Sequence, residues 1–91
     1  MLYKVYILYA PEHDKLFTGM TSSLIDRMAF HNGNEPEDWT SVYKPWTLVH
    51  MELFNDEREA EIREAYFEDP NGENYIRENI LPLFDFDELM N

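Results

Sequence analysis

Residues 3–9 read Tyr3-Lys4-Val5-Tyr6-Ile7-Leu8-Tyr9, and this stretch decides the fold. Its apolar, aromatic and β-branched residues fall on both parities, which predicts a central strand covered on both faces. Pro11, Glu12, His13 and Asp14 follow as a polar turn of hairpin length. Lys15-Leu16-Phe17-Thr18-Gly19 then predicts a short second strand, so the chain opens with a β-hairpin.

Beyond the hairpin, Thr21, Ser22 and Ser23 offer N-caps to a helix from Leu24 to about His31. Leu24, Ile25, Met28 and Ala29 form its expected apolar stripe, and Asn32-Gly33-Asn34 its stop. Glu35 to Tyr43 has no period and reads as a loop in which Trp39 supplies aromatic weight. Pro45 opens a third strand, Trp46 to Phe54, with Trp46, Leu48, His50 and Glu52 on one parity and Thr47, Val49, Met51 and Leu53 on the other. Asn55 is placed to cap a helix from about Asp56 to Phe67, which Asp69-Pro70-Asn71-Gly72 ends with a turn. Glu73 to Ile80 predicts a short last helix.

The order β-β-α-β-α-α is that of an α+β fold, a small three-stranded, mainly antiparallel sheet flanked by helices. A single domain over residues 1–80 is expected. In residues 81–91 leucine and phenylalanine alternate with acids; this tail is expected to pack back on the domain, because its side chains would otherwise add to exposed apolar surface.

The chain has 91 residues and a mass of 11.0 kDa, enough for one core and not two. It has no cysteine, which excludes disulfides, thiolate metal sites and a cysteine nucleophile. No apolar run approaches the roughly 18–20 residues of a membrane span, and the first residues lack a basic region followed by an apolar stretch. The expectation is a cytoplasmic protein without a membrane partner. Lysine and arginine total 7 against 19 acids, for a net charge of -12. Composition alone therefore points to a protein partner, a cation or solubility, since a polyanion would be repelled. The 3 glycines stand far apart, so there is no phosphate-cradling loop, and His13, His31 and His50 lack metal-ligand spacing.

One combination is more specific. Val5-Tyr6-Ile7, Phe17-Thr18-Gly19, then Arg27, His31 and Asn32, then Lys44-Pro45-Trp46-Thr47-Leu48-Val49 and Glu59-Ala60-Glu61-Ile62-Arg63-Glu64 follow in order. Over residues 2–79 the chain resembles the GIY-YIG nuclease superfamily, in particular its small stand-alone bacterial members. The resemblance implies a three-stranded antiparallel sheet flanked by helices and a divalent-metal-dependent endonuclease that hydrolyses DNA phosphodiester bonds. By position, it implies that Glu64 holds the metal, Mg2+ or Mn2+. Arg27 would then steady the attacked phosphate, and Tyr6 would orient the attacking water with help from His31.

The residue types suit those roles. A hard cation prefers carboxylate oxygen and keeps most of its waters, and a guanidinium fork suits a phosphate gaining charge. Arg27 and His31 lie one turn apart on one helix face. Glu64 stands four residues after Ala60 and three before Phe67, at the border of an apolar stripe, where a carboxylate is expected to be partly buried.

Each residue also has a plainer reading. Tyr6 could be a core aromatic with its hydroxyl at the rim, Arg27 the partner of an acid such as Glu64, His31 a helix C-terminal contact, and Glu64 one acid of a solvated face. Phe17 stands where the family has a tyrosine, and acids stand where relatives are basic. These departures define the alternative: a catalytically silent acidic fold acting as a protein-interaction module for a basic protein.

Overall fold

A computed structural model describes residues 2–32 and 42–86. Most of the predicted loop, with Trp39, and the last five residues of the predicted tail lie outside the described residues. Three strands, β1 (Tyr3–Ala10), β2 (Lys15–Thr21) and β3 (Thr47–Phe54), form one antiparallel sheet in the order β2-β1-β3. The central strand is the one whose two parities were both apolar. β2 runs two residues beyond its predicted end, because Met20 and Thr21 still pair with Val5 and Lys4. In the hairpin turn the His13 N–H donates to the Ala10 carbonyl at 3.1 Å, and Asp14 takes a left-handed φ of 52°, which aspartate tolerates better than most residues.

The alternation of β1 builds two cores. Val5 and Ile7 join Val49, Ala60, Phe67, Ile76 and Ile80 on one face, while Tyr6, Leu8 and Ala10 join Trp46 on the other. Full burial of a side chain such as Phe67 or Ile76 contributes about 1.5–3 kcal/mol. The second face is covered by α1 (Leu24–His31), whose inward residues are Leu24, Met28 and His31. Ile25, expected in the apolar stripe, is instead 84% exposed, because the i, i+4, i+7 spacing already fills the inner side.

The third strand corrects its predicted parity. Ile7 pairs with His50 but Leu8 pairs with Leu48, so Val49 is an extra residue and β3 carries a bulge. Trp46 and Leu48 therefore face α1, whereas His50 and Glu52 fall on the opposite side with Ile7 and Val5.

That opposite side is covered by α2 (Glu57–Glu68) and α3 (Pro70–Tyr75). The cap of α2 is Asp56, not Asn55: its carboxylate accepts the Arg58 N–H at 2.8 Å. Asp69-Pro70 opens α3 instead of turning the chain, with Asp69 accepting the Asn71 N–H at 2.9 Å and Pro70 in the first helical turn, where its missing N–H costs nothing. Gly72 is buried where a Cβ would run into the Tyr66 carbonyl, so the two helices meet backbone to backbone.

The chain continues as a π-helical segment, Ile76–Ile80, and a 3-10 turn, Leu81–Leu83. Phe84 and Phe86 pack on the first core, Phe86 at 4.9 Å from the Tyr9 ring. Asp14 fastens the hairpin to this segment by accepting from Tyr9 Oη at 2.7 Å and Arg77 Nη1 at 2.9 Å. Among the described residues no helix is long and apolar enough to cross a membrane.

Candidate active site

Tyr6 lies mid-way along β1, directly opposite Gly19 of β2. The phenol is 1% exposed, and its hydroxyl is 3.1 Å from Nε2 of His31, which is fully buried. The hydroxyl thus bonds internally instead of sitting at a rim, and His31, last residue of α1, turns inward instead of merely answering the helix dipole. Phe17 packs against both, its ring centroid 4.5 Å from His31 and 6.0 Å from Tyr6.

Arg27 sits one turn before His31 on α1 and is half-buried. The next residue, Asn32, clamps the start of β3: its Oδ1 accepts the Trp46 N–H at 2.7 Å and its Nδ2 donates to the Trp46 carbonyl at 3.3 Å. Sequence reading gave Asn32 no role beyond ending the helix.

Glu64 is half-buried on α2. Burial, then the charges of Glu68 and Glu61, raise its carboxyl above the usual range. Among the described residues it makes no hydrogen bond or ion pair, so the expected alternative of an Arg27–Glu64 bridge is not formed. The structure brings Tyr6 and His31 into direct contact and sets Arg27 on the same helix face as His31. It does not bond Glu64 to them, because α1 and α2 lie on opposite faces of the sheet. A 380 Å³ cleft along the β2 edge, lined by Leu16, Phe17, Thr18, Phe67, Glu68 and Glu73, lies between Phe17 and the helix turn after Glu64.

One network was not anticipated. Arg63 donates from Nε and Nη2 to the two oxygens of Glu52 at 2.7 and 3.0 Å, and His50 Nε2 is 2.8 Å from Glu52 Oε2. The guanidinium also lies 4.4 Å from the Phe67 ring centre and 5.0 Å from that of Tyr66. Arg63 holds the Glu52 carboxyl below its usual range; burial opposes this and His50 adds to it. Because successive helix residues are about 100° apart, fixing Arg63 on β3 also fixes where Glu64 points. The available signal was a glutamate within the third strand, which has to find a cation when it is covered.

Among the described residues no group of three or more His, Asp or Glu gathers to hold a metal. Among the described residues the one that best fits an ion is Glu64, a hard oxygen donor that is partly desolvated and unbridged. An ion held so would complete its shell with water and substrate phosphate, which suits Mg2+.

Comparison with known proteins places the family and the fold. A UPF0213 protein of Clostridium perfringens is 39% identical over 62 residues, covering 68% of this chain and 66% of the relative. One of Staphylococcus haemolyticus is 35% identical over 60 residues, covering 66% of this chain and 72% of the relative. The solution structure of a UPF0213 protein of Bacillus halodurans superposes with a TM-score of 0.53 at 23% identity, over 84% of this chain and 82% of that one, and so shares the fold. The sequence model of the GIY-YIG catalytic domain matches residues 2–77, which takes in both strands of the hairpin, α1, β3 and α2. This chain therefore belongs to the GIY-YIG nuclease domain family.

Proposed function

We propose that this protein is a divalent-metal-dependent endonuclease that hydrolyses DNA phosphodiester bonds. The observation that carries the reading is the buried Tyr6–His31 hydrogen bond with Arg27 one turn away on the same helix, in a family whose nucleases use divalent metals. A core tyrosine needs no histidine, and a histidine sealed from water requires a partner at one ring nitrogen.

In this mechanism Glu64 would hold the ion, Mg2+ or Mn2+, which would supply Lewis-acid stabilisation of the phosphoryl oxygen. Arg27 neutralises the charge that builds on the attacked phosphate. Because the phenol is 1% exposed, substrate binding has to uncover the Tyr6 oxygen before it can accept a hydrogen bond from the attacking water; as the water then loses its proton to that oxygen, the phenolic proton would pass to His31 Nε2. That relay requires His31 to carry its other proton on Nδ1. Phe17 packs on both rings and offers no competing hydroxyl.

The same Phe17 favours the second reading, a catalytically silent interaction module whose partner is a basic protein. One assay separates them: labelled single-stranded, duplex and flapped DNA at low salt with Mg2+ or Mn2+, beside Glu64→Ala. Metal-dependent cleavage lost in the variant supports the nuclease. No cleavage and no DNA binding on any substrate sinks it in favour of the module.

A further inference from the structure

The two edges of the sheet are unlike. The cleft beside Phe17 lies along β2, whereas β3 ends the sheet on the other side and, among the described residues, pairs with β1 alone. An unpaired edge is a template for another strand, which proteins usually blunt with lysine, proline, a bulge or an inward charge. Thr47–Phe54 contains no lysine or proline, and its bulge lies at Val49, before the stretch Met51 to Phe54. Its carboxylate, Glu52, is engaged by Arg63 and His50.

Both sides of this edge are apolar. On the α2 side a 450 Å³ groove is lined by Phe54, Ile62 and Tyr66, with Glu59 and Arg63. Ile62 and Tyr66 stand four residues apart on one face of α2, and Ile62 is 62% exposed. Arg63 is bound to Glu52 and stacks at 5.0 Å on the Tyr66 ring. On the other side of the sheet Met51 and Leu53 share the parity of Tyr6 and Lys4, and both are exposed, Leu53 by 53%. A strand laid along β3 would set one parity of its side chains over Ile62 and Tyr66 and the other over Met51 and Leu53. An exposed apolar cluster of this kind marks an interaction site. Glu64 and Glu68 lie two residues on from Ile62 and Tyr66, about 200° round the helix, so this groove and the candidate active site are separate surfaces.

Charge selects the occupant. Over residues 52–63, Glu52, Asp56, Glu57, Glu59 and Glu61 stand against Arg58 and Arg63. Glu59, in the groove, has no cation bridged to it among the described residues. Lys4, opposite Leu53 on β1, points its Nζ at the Ser22 carbonyl, 3.5 Å away. A second copy would bring another net charge of -12 to this edge, and residues 87–91 add Asp87 and Glu88 with no base. Both are repelled where a cationic segment is attracted.

We propose that the β3 edge, with the groove of Phe54, Ile62 and Tyr66, docks an extended segment of another protein, a short apolar core flanked by lysine or arginine. The segment adds a fourth strand beside β3. Its apolar side chains cover Ile62 and Tyr66 on one side and Met51 and Leu53 on the other. Its flanking cations answer Glu59 and the acids that open α2. This docking is independent of what the Tyr6–His31 pair does.

The test is fluorescence anisotropy at low salt with a short labelled peptide of valine and leucine between flanking lysines. Three control peptides carry serine for the apolar residues, glutamate for the lysines, or a central proline that cannot pair its backbone. Wild type is compared with Ile62→Lys, Leu53→Thr and Ile25→Ser, the last at an exposed apolar residue of α1. Circular dichroism melts establish that each variant is folded. Each control peptide should bind about 10-fold or more weakly than the parent peptide. Ile62→Lys should lose on the order of 10-fold in affinity and Leu53→Thr about 3-fold, while Ile25→Ser stays within about twofold. Backbone amide shifts should move in Met51 to Phe54 on titration. Equal binding of the serine peptide overturns the proposal, since affinity would then follow charge alone. Undiminished binding by Ile62→Lys, no binding of the parent peptide, or shifts confined to β2 also overturns it. So does a wild-type dimer in sedimentation that Ile62→Lys abolishes, which would assign the edge to a second copy. No arm contains DNA or metal, so a failure here leaves the nuclease reading standing.

Discussion

Gly19 stands across the β1–β2 ladder from Tyr6, and a Cβ built there would lie 2.5 Å from the tyrosine hydroxyl and 2.6 Å from its Cζ. The missing side chain is what lets that hydroxyl lie against β2 on its way to His31. Gly19→Ala would ordinarily help a strand, since glycine weakens strand interiors. Here it should push the ring off His31 and cost about 1–3 kcal/mol by overpacking. At roughly 4–8 °C per kcal/mol for a domain of this size, calorimetry should read a drop in Tm of on the order of 5–15 °C. A Tm that is unchanged or raised would mean the ring has room to move and the Tyr6–His31 bond is not held by this packing.

Two substitutions that each move one hydroxyl should separate stability from chemistry. Tyr6→Phe removes the 3.1 Å bond to a fully buried His31, at a cost of about 1–2 kcal/mol, and should reduce DNA cleavage by about 100-fold or more. Phe17→Tyr adds a hydroxyl to a half-buried ring beside the 380 Å³ cleft, so stability should change by under about 0.5 kcal/mol. Cleavage should hold or rise several-fold. Equal, small effects of both changes on cleavage would remove Tyr6 from the mechanism.

The strands and α1 were legible because each rests on local pattern: two-sided hydrophobicity in β1, turn residues before Lys15, caps before Leu24. The errors came where a local signal had two meanings. Asp69-Pro70-Asn71-Gly72 has the composition of a turn, yet Asp-Pro is equally an N-cap and first helical residue, and the need to bury Ile76 and Ile80 selected the helix. Strict alternation in β3 failed at Val49, since a bulge is set by pairing with β1 and leaves no mark in one strand's composition. Of the candidate site, Arg27 and His31 shared a face by spacing alone. The inward turn of His31 towards Tyr6, and the Arg63–Glu52 clamp that aims α2, depend on contacts 25 and 11 residues apart.

Glu64→Gln should stabilise the protein at neutral pH. Burial and the charges of Glu68 and Glu61 raise the Glu64 carboxyl, so the native state holds this proton more tightly than the unfolded chain does. Its ionised form therefore costs stability, a cost that appears as pH rises through the raised value and vanishes in acid. Glu64 is only half-buried and solvent screens its charge, so the gain should be about 0.5 kcal/mol, or roughly 2–4 °C in Tm at pH 7. The gain should shrink towards zero near pH 4. Millimolar Mg2+ should narrow the gap by stabilising wild type alone. A variant less stable than wild type at pH 7 would show that the carboxylate has a structural partner.

The opposite sign is expected at Glu52. Arg63 holds its carboxyl below the usual range against the opposing effect of burial. Stability from this group is thus fully present above the unfolded value of about 4.5 and lost as pH falls through the lower folded one. Glu52→Gln should cost about 1–2 kcal/mol at pH 7, because the bridge has two short bonds but both side chains are partly solvated. Urea titrations at pH 7 should show that loss, and the two proteins should converge in acid, below the lowered folded value. Arg63→Ala should cost more, since it also removes the packing of the guanidinium on Phe67 and Tyr66. Adding Glu52→Gln to Arg63→Ala should then cost little more, with a coupling of about 1 kcal/mol. Because the clamp sets the rotation of α2, both single variants should also lower metal-dependent cleavage while leaving anisotropy binding of DNA in EDTA near the wild-type value. Additive losses in stability would mean the two residues stabilise the fold independently and do not aim Glu64 together.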